Sequence, residues 1–307
     1  MKVLIELPTW LGDCVMATPA IENIVNFDND TQITLIGSFV SIEALKNHPE
    51  VVKTVVLSKK YRDLVKISKE LGDFDIFFSF RSSIRSKFLK FFISAENKYQ
   101  FDKNTYQNRH QVEKYNDFVN DSLSINLTAK KLQIYGYSTS KNKKKILGIN
   151  PGASYGSAKR WYPEEFAKVA GELSSQYDIV IFGGPGEKDI AMDIEKSLLE
   201  KGIDNYQNLA ANTTIPELID HISKLDLFIT GDSGPMHVAA AFQVPTVAIF
   251  GPTKDDETSQ WMNDKSIIVK QNLDCQPCMK RTCPLQHHNC MNLIKATDVL
   301  SAVKTFI

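Results

Sequence analysis

Short apolar runs alternate with amphipathic stretches along the whole chain. This alternation predicts parallel sheets whose strands are joined by crossover helices. In the first half, strands are expected at 3–7, 32–36, 54–57, 76–80 and 132–135, with helices such as 61–71 and 112–123 between them. Leu64, Ile67, Ser68 and Leu71 recur at i, i+3, i+4 and i+7, so they share one helix face. Residues 138–145 are polar and charged throughout and read as an exposed linker. A second unit follows, with strand 146–150, helix 163–175, strand 178–183 and helix 188–199. Pro163 suits a first helical turn, where its missing N–H costs nothing. A helix near 217–225, strand 227–229, helix 238–241 and strand 244–250 complete this unit. Residues 297–307 read as a final helix with Val299, Leu300, Val303 and Ile307 on one face.

Length agrees with this division, because 307 residues are long for one core and fit two domains. The expected boundaries are 1–144, 145–294 and a terminal segment 295–307. Lys plus Arg equals Asp plus Glu, 36 each, which removes the electrostatic case for nucleic acid. The N-terminus, with Glu6 and Pro8 close behind its first apolar residues, is not a secretory signal. No apolar run approaches the length of a membrane span. A cytoplasmic location is the default expectation, and it disfavours disulfides among the five cysteines.

Ligands of parallel sheets bind at the carboxyl ends of strands, and each candidate motif falls at such an end. Thr230-Gly231-Asp232-Ser233-Gly234-Pro235-Met236-His237 follows an apolar strand and opens a helix of small residues. N–H groups at a helix start are unpaired and carry the positive end of its dipole, which suits a phosphate. Gly231 and Gly234 admit close backbone approach, and Asp232 can accept hydrogen bonds from sugar hydroxyls. A nucleotide diphosphate-sugar satisfies both features; a tight turn without ligand is the plainer alternative.

Leu7-Pro8-Thr9-Trp10-Leu11-Gly12-Asp13 follows the first strand. Asp13 can be a general base made stronger by desolvation in a closed cleft, or simply a helix cap. No Gly-x-Gly-x-x-Gly turn occurs here, so a dinucleotide cofactor is unsupported. Asn150-Pro151-Gly152-Ala153-Ser154-Tyr155-Gly156-Ser157-Ala158-Lys159-Arg160-Trp161 offers backbone donors, hydroxyls and cations to a diphosphate. Lys159 can neutralise charge on a leaving phosphate, or the segment is an ordinary surface loop. Gly183-Gly184-Pro185-Gly186-Glu187 suits close packing of a nucleoside, and Glu187 either binds a ribose or charges a helix N-terminus.

Cys275, Cys278, Cys283 and Cys290 fall within one short segment beside His287 and His288. Four thiolates at this spacing can hold a structural zinc, or they are reduced and packed. In residues 81–92, cations interleave with Ile84, Phe88, Leu89 and Phe91. That is either a basic amphipathic helix meeting anionic lipid or a phosphorylated acceptor, or a surface helix with its apolar face in the core.

Taken together, residues 7–13, Met16-Ala17-Thr18-Pro19-Ala20, Asn150-Pro151-Gly152-Ala153, Ala158-Lys159-Arg160-Trp161, 231–237 and Phe250-Gly251-Pro252-Thr253 resemble the bacterial lipopolysaccharide heptosyltransferases of glycosyltransferase family 9. The likeness spans nearly the whole chain and looks nearest to the heptosyltransferase II branch, which the segment with Cys283-Pro284-Leu285 and His287-His288 also resembles. It implies an α/β GT-B fold, two Rossmann-like domains with parallel sheets facing across a cleft. It implies an inverting transfer of L-glycero-D-manno-heptose from ADP-heptose to the first heptose on Kdo-lipid A. The acceptor site is expected in the first domain and the nucleotide site in the second, with 295–307 packing back on the first.

By the same resemblance Asp13 is the base, Lys159 the phosphate-side cation and Asp232 the donor-sugar contact. The backbone at Gly234, Pro235, Met236 and His237 holds the diphosphate, with Ser154, Gly184, Glu187 and Ser233 as further donor contacts. Thr9, Trp10, Arg81, Arg85, Arg109 and Lys114 are candidate acceptor contacts. No metal is required for chemistry, and the enzyme is expected peripherally on the cytoplasmic face of the inner membrane. Rival readings are a transferase with another core acceptor, a nucleotide-sugar epimerase, a non-catalytic nucleotide-sugar sensor and, weakest, a nicotinamide oxidoreductase.

Overall fold

The computed structural model describes residues 1–140 and 143–306. Lys141 and Asn142 of the expected linker, and Ile307 of the expected terminal helix face, lie outside the described residues. The chain divides into two compact units, Met1–Gly136 and Tyr137–Ile307. The division precedes the expected boundary at 144 because the start of the linker is held by the second unit. Ser223 Oγ donates to Ser138 O at 3.0 Å, and the Tyr137 and Phe242 rings pack edge to face.

In the first unit β1 (Lys2–Glu6), β2 (Gln32–Gly37), β3 (Val51–Val56), β4 (Asp73–Ser79) and β5 (Ser94–Gln100) form one sheet in the order β3-β2-β1-β4-β5. All pairings are parallel. β1 is buried from Val3 to Glu6, as a central strand covered on both faces must be. Helices Tyr61–Leu71 and Ile84–Phe92 pack together, and Leu64 and Leu89 close a core with Leu4, Ile36 and Phe77. Leu64 and Ser68 are buried and Ile67 and Leu71 half-buried, so the periodicity identified the inward face correctly.

Two expectations for this unit change. The fifth strand is β5, whose sequence SAENKYQ carries no apolar run because an edge strand is exposed along one side. The segment 132–135 is extended but joins no sheet. Leu132 and Ile134 are buried, while Gln133 N–H donates to Thr18 Oγ1 at 3.0 Å, so alternation here marks packing on helix Thr18–Val25.

In the second unit β6 (Ile146–Asn150), β7 (Asp178–Ile181), β8 (Tyr206–Asn208), β9 (Leu227–Gly231), β10 (Thr246–Phe250) and β11 (Ser266–Lys270) form a parallel sheet in the order β11-β10-β9-β6-β7-β8. Its core joins Leu147, Ile149, Trp161, Phe166, Leu227, Ile229 and Ile249. Each fully buried Ile or Phe contributes about 1.5–3 kcal/mol of apolar transfer free energy. The final helix is Ala296–Val303. Val299, Ala302 and Val303 lie in the core of the second unit. Glu165 Oε2 accepts the Ala296 N–H at 2.6 Å and so caps the helix from within the same unit.

Each sheet has one place where the chain reverses its direction of growth. In the first it moves outward from β1 to β3, then returns to β4 on the other side of β1. In the second it moves outward from β6 to β8, then returns to β9 on the other side of β6. Flanking loops diverge at such a reversal and leave a crevice at the carboxyl ends of the strands.

Candidate active site

In the second unit the loop after β6 and the loop after β9 flank that crevice. The first carries Lys159, in a single helical turn Ser157–Lys159, and the second carries Asp232. Lys159 Nζ lies 2.6 Å from Asp232 Oδ2, and both residues are nearly buried. Thr253, after β10, donates its hydroxyl to the same oxygen at 2.6 Å. Beneath them Asn150 and Thr230 are register partners at the ends of β6 and β9. Asn150 Nδ2 donates to Thr230 Oγ1 at 3.3 Å and to Ser233 Oγ at 3.1 Å. A buried ion pair, braced by neutral hydrogen bonds, therefore spans the reversal in strand order. Neither Asn150 nor Thr253 stood among the expected site residues, although both occur in the motifs quoted for them. Their signal was position, each lying at or just beyond the end of a strand.

The loop after β7 is organised by Glu187. Its Oε2 accepts the Gly184 N–H at 2.7 Å, and a Cβ at Gly152 would overlap its carboxyl group. Gly152 thus lets Glu187 reach across to the loop after β6. Ser154 is exposed, whereas Arg160 stands at the start of an extended segment and directs Nη2 towards Gly186 O at 3.5 Å. Among the described residues, buried Arg160 Nε has no hydrogen-bond partner.

Helix Gly234–Ala241 begins after Ser233, whose side chain makes no capping bond. The expected donor set at its start is narrower than four groups. Pro235 has no N–H, and that of Met236 already donates to Ser233 O at 3.1 Å. Met236 and His237 are buried, while Gly234 and Pro235 are half-buried.

In the first unit the reversal lies between β1 and β4. Asp13 sits in the first turn of helix Leu11–Met16, behind the N-cap Trp10. It is therefore not the cap residue, although its charge lies where the helix dipole favours it. Its carboxylate acts on buried Tyr115, whose phenol is pushed well up by burial and then by the Asp13 charge. Thr9 is half-buried, its carbonyl accepting from Ser38 Oγ at 2.9 Å, and Trp10 is 62% exposed.

Glu6, at the end of β1, is fully buried. It accepts from Ser79 Oγ at 2.6 Å and Ser86 Oγ at 3.0 Å, with Arg81 Nη1 at 3.5 Å. Burial raises its pKa, against the lowering effect of Ser79 and Arg81. Arg85 donates to Ser58 O, and its pKa is lowered by desolvation and then by the Arg81 charge. Arg81 is thus the guanidinium that reaches the buried carboxylate, and Arg85 acts on it only through its charge. Arg109 pairs with Asp117 and with Glu113, and Lys114 is buried.

Helix Ile84–Phe92 divides the two readings made of it. Leu89 is buried, but Ile84 and Phe91 are 81% and 79% exposed beside exposed Lys87. Among the described residues no helix is long and apolar enough to cross a membrane. Among the described residues no group of three or more His, Cys, Asp or Glu is placed to hold a metal ion. All five cysteines are free thiols. Cys290 is pushed up to about 11 by burial and then by the charges of Cys275, Cys278 and Cys283.

Residues 99–289 match glycosyltransferase family 9 (heptosyltransferase). The chain is 45% identical to lipooligosaccharide heptosyltransferase 2 of Campylobacter jejuni subsp. jejuni serotype O:2, an alignment covering 100% of this chain and 98% of that protein. Among solved structures it superposes on E. coli ADP-heptose LPS heptosyltransferase II with a TM-score of 0.84 at 20% identity, covering 100% of this chain and 98% of that one. E. coli heptosyltransferase WaaC with ADP gives 0.79 at 14% identity, with both chains covered to 100%. The fold is that of the GT-B heptosyltransferases. With a crevice lined by a cation, a carboxylate and backbone donors in one unit, and a full-length relative of this kind, the chain belongs to glycosyltransferase family 9, the heptosyltransferases, and is a glycosyltransferase.

Proposed function

We propose that this enzyme transfers L-glycero-D-manno-heptose from ADP-heptose to the first heptose of the lipopolysaccharide inner core, with inversion. The observation that carries the donor half of this reading is the Lys159–Asp232 pair at the reversal of the second sheet. A diphosphate needs a cation and N–H donors, and a sugar needs a hydrogen-bond acceptor. Lys159 and the helix start at Gly234 supply the first, and Asp232 the second. Arg160, with an unpartnered buried Nε, adds a further donor for an anion. Glu187, Gly184 and Ser154 flank the nucleoside side. Kinship along the full chain with a lipooligosaccharide heptosyltransferase 2 supports heptosyl transfer to a lipooligosaccharide, and the likeness to an ADP-heptose LPS heptosyltransferase II supports the donor.

In the mechanism, Asp13 takes the proton from an acceptor hydroxyl. The oxygen attacks the anomeric carbon as the bond to the ADP oxygen breaks, and the leaving diphosphate carries away the electron pair. Lys159 and the helix N-terminus stabilise the charge it gains, so no metal is needed for that step. Arg81 and Arg85, above the buried Glu6, orient the anionic acceptor, with Thr9 and Trp10 alongside. The exposed apolar and basic side chains of helix Ile84–Phe92 make the peripheral contact with the cytoplasmic face of the inner membrane.

The test is transfer of labelled heptose from ADP-heptose to heptose-deficient and one-heptose lipopolysaccharide, by wild type and Asp13→Ala. Label entering only the one-heptose acceptor, and lost in the variant while ADP binding persists, is expected. Label on the heptose-free acceptor, or none on either, overturns the acceptor assignment.

A further inference from the structure

The segment holding the four clustered cysteines lacks a regular strand, and the transfer mechanism makes no use of it. Its hydrogen bonds nevertheless converge on the two loops that carry the partners of Asp232. Gln276 Nε2 donates to Gly251 O at 2.6 Å, and Met279 N–H donates to Pro252 O at 2.9 Å. These bonds fix the chain immediately before Thr253. On the other side, Ala158 is held at both ends of its backbone. Its N–H donates to Arg281 O at 3.0 Å, and its carbonyl accepts from His288 Nε2 at 2.9 Å. A Cβ at Gly156 would overlap the Arg281 carbonyl, so the contact has no room for a side chain there.

We infer that this segment is a brace for the donor loops, in which His288 is a positioning residue for Lys159. The inference rests on the reading of Lys159 as the phosphate-side cation. The Ala158 carbonyl and the Lys159 nitrogen belong to one planar peptide unit, so a bond to that carbonyl fixes the starting direction of Lys159. A carbonyl only accepts, which places the imidazole proton on Nε2. In the neutral ring Nδ1 is then the acceptor for the Tyr162 hydroxyl, 3.1 Å away. Both ring nitrogens are engaged by the loop that carries Lys159. His288 itself is held in the left-handed region at φ 50°, a conformation uncommon for a residue with a side chain. The two ring bonds offset that backbone cost, and they bind the end of the segment to the turn Ser157–Lys159.

The test is a double-mutant cycle read by ADP affinity in calorimetry, with His288→Leu, Lys159→Met and the double variant. His288→Leu is expected to weaken ADP about tenfold with Lys159 present and under about twofold without it, the coupling of residues that act as one unit. His288→Gln, whose amide can donate to Ala158 O, is expected to recover to within about threefold of wild type. Amide exchange of 156–162 is followed in parallel and is expected to speed up in His288→Leu while β6 and β9 stay protected. If His288→Leu does not fold, Tyr162→Phe enters the same cycle as the milder perturbation. Equal ADP losses in both Lys159 backgrounds, or unchanged exchange of 156–162, overturn the brace. Failure of the wild type to bind ADP, with faster exchange still seen in His288→Leu, overturns the donor-site reading and supports the brace.

Discussion

Lys159 Nζ and Asp232 Oδ2 lie 2.6 Å apart, on loops from the two strands between which the second sheet reverses its order. The pair is nearly buried, so each partner has exchanged water for the other. An entering diphosphate competes with Asp232 for the ammonium group. Lys159→Met therefore weakens ADP binding by about 10–100-fold, the range of one charge-assisted hydrogen bond. Asp232→Asn removes the competitor and leaves ADP affinity equal or higher, yet it lowers heptose transfer because the sugar contact is gone. Calorimetry with ADP separates the two variants by sign. An Asp232→Asn protein that binds ADP tenfold more weakly would falsify this competition. In the ligand-free protein Lys159→Met also leaves a buried carboxylate without its cation, and urea unfolding should show a loss of about 3–5 kcal/mol.

Gly152 admits the Glu187 carboxyl group where a Cβ would stand. In Gly152→Ala the carboxylate must swing away, and the bond from Gly184 N–H, 2.7 Å in the wild type, is lost. A loss of about 1–3 kcal/mol is expected, as for a buried hydrogen bond to a charged group. The same change in a Glu187→Ala background has no carboxylate to displace and costs less. Urea midpoints of the four proteins form the cycle, and strict additivity sinks the steric account.

The turns after β1, β6 and β9 were legible because glycine, proline and charge cluster where an apolar run stops. That pattern marks Asp13, Lys159 and Asp232 as candidates, and the fold brings Lys159 and Asp232 together. The pattern did not reveal β5 or β8, because an edge strand has one open side and needs no continuous apolar run. Nor did it single out β11, although Ile267, Ile268 and Val269 form a short apolar run there. Glu6 escaped for a different reason. A charge inside a strand reads as an interruption, and only tertiary packing brings Ser79, Ser86 and Arg81 around it. His288 was visible merely as a neighbour of cysteines, since its partners Ala158 and Tyr162 lie far away in sequence.

Glu6 gives the first unit a pH dependence with a definite direction. Burial raises its folded pKa above the ordinary 4.5, so between those two values the folded chain binds more protons than the unfolded one. The Glu6 contribution to stability is therefore full below about pH 4.5 and is lost as pH rises through the folded pKa, by up to about 1.4 kcal/mol per pH unit. Glu6→Gln removes this titration and keeps a side chain that can bond both serines. Unfolding free energies across pH 4.5 to 8, wild type minus variant, should fall with pH; a difference that rises contradicts the burial argument.

The clustered thiols should differ in reactivity, because only the thiolate attacks an alkylating reagent. Cys290 is raised to about 11, first by burial and then by the neighbouring sulfur charges. At pH 8 its thiolate fraction is then on the order of one in a thousand. Cys14, wholly buried with its thiol donating to Ser41 O at 3.6 Å, is raised further still by desolvation. Cys275, Cys278 and Cys283 are half-buried. Brief iodoacetamide treatment of the folded protein at pH 8, followed by peptide mass spectrometry, should therefore label these three well before Cys290 and Cys14. Loss of donor binding should follow their labelling, because a carbamidomethyl group on this segment disturbs the chain between Gln276 and Arg281 that holds the loops of Thr253 and Lys159. Early labelling of Cys290 would mean that its neighbours depress its pKa, the reverse of what burial beside other thiols requires.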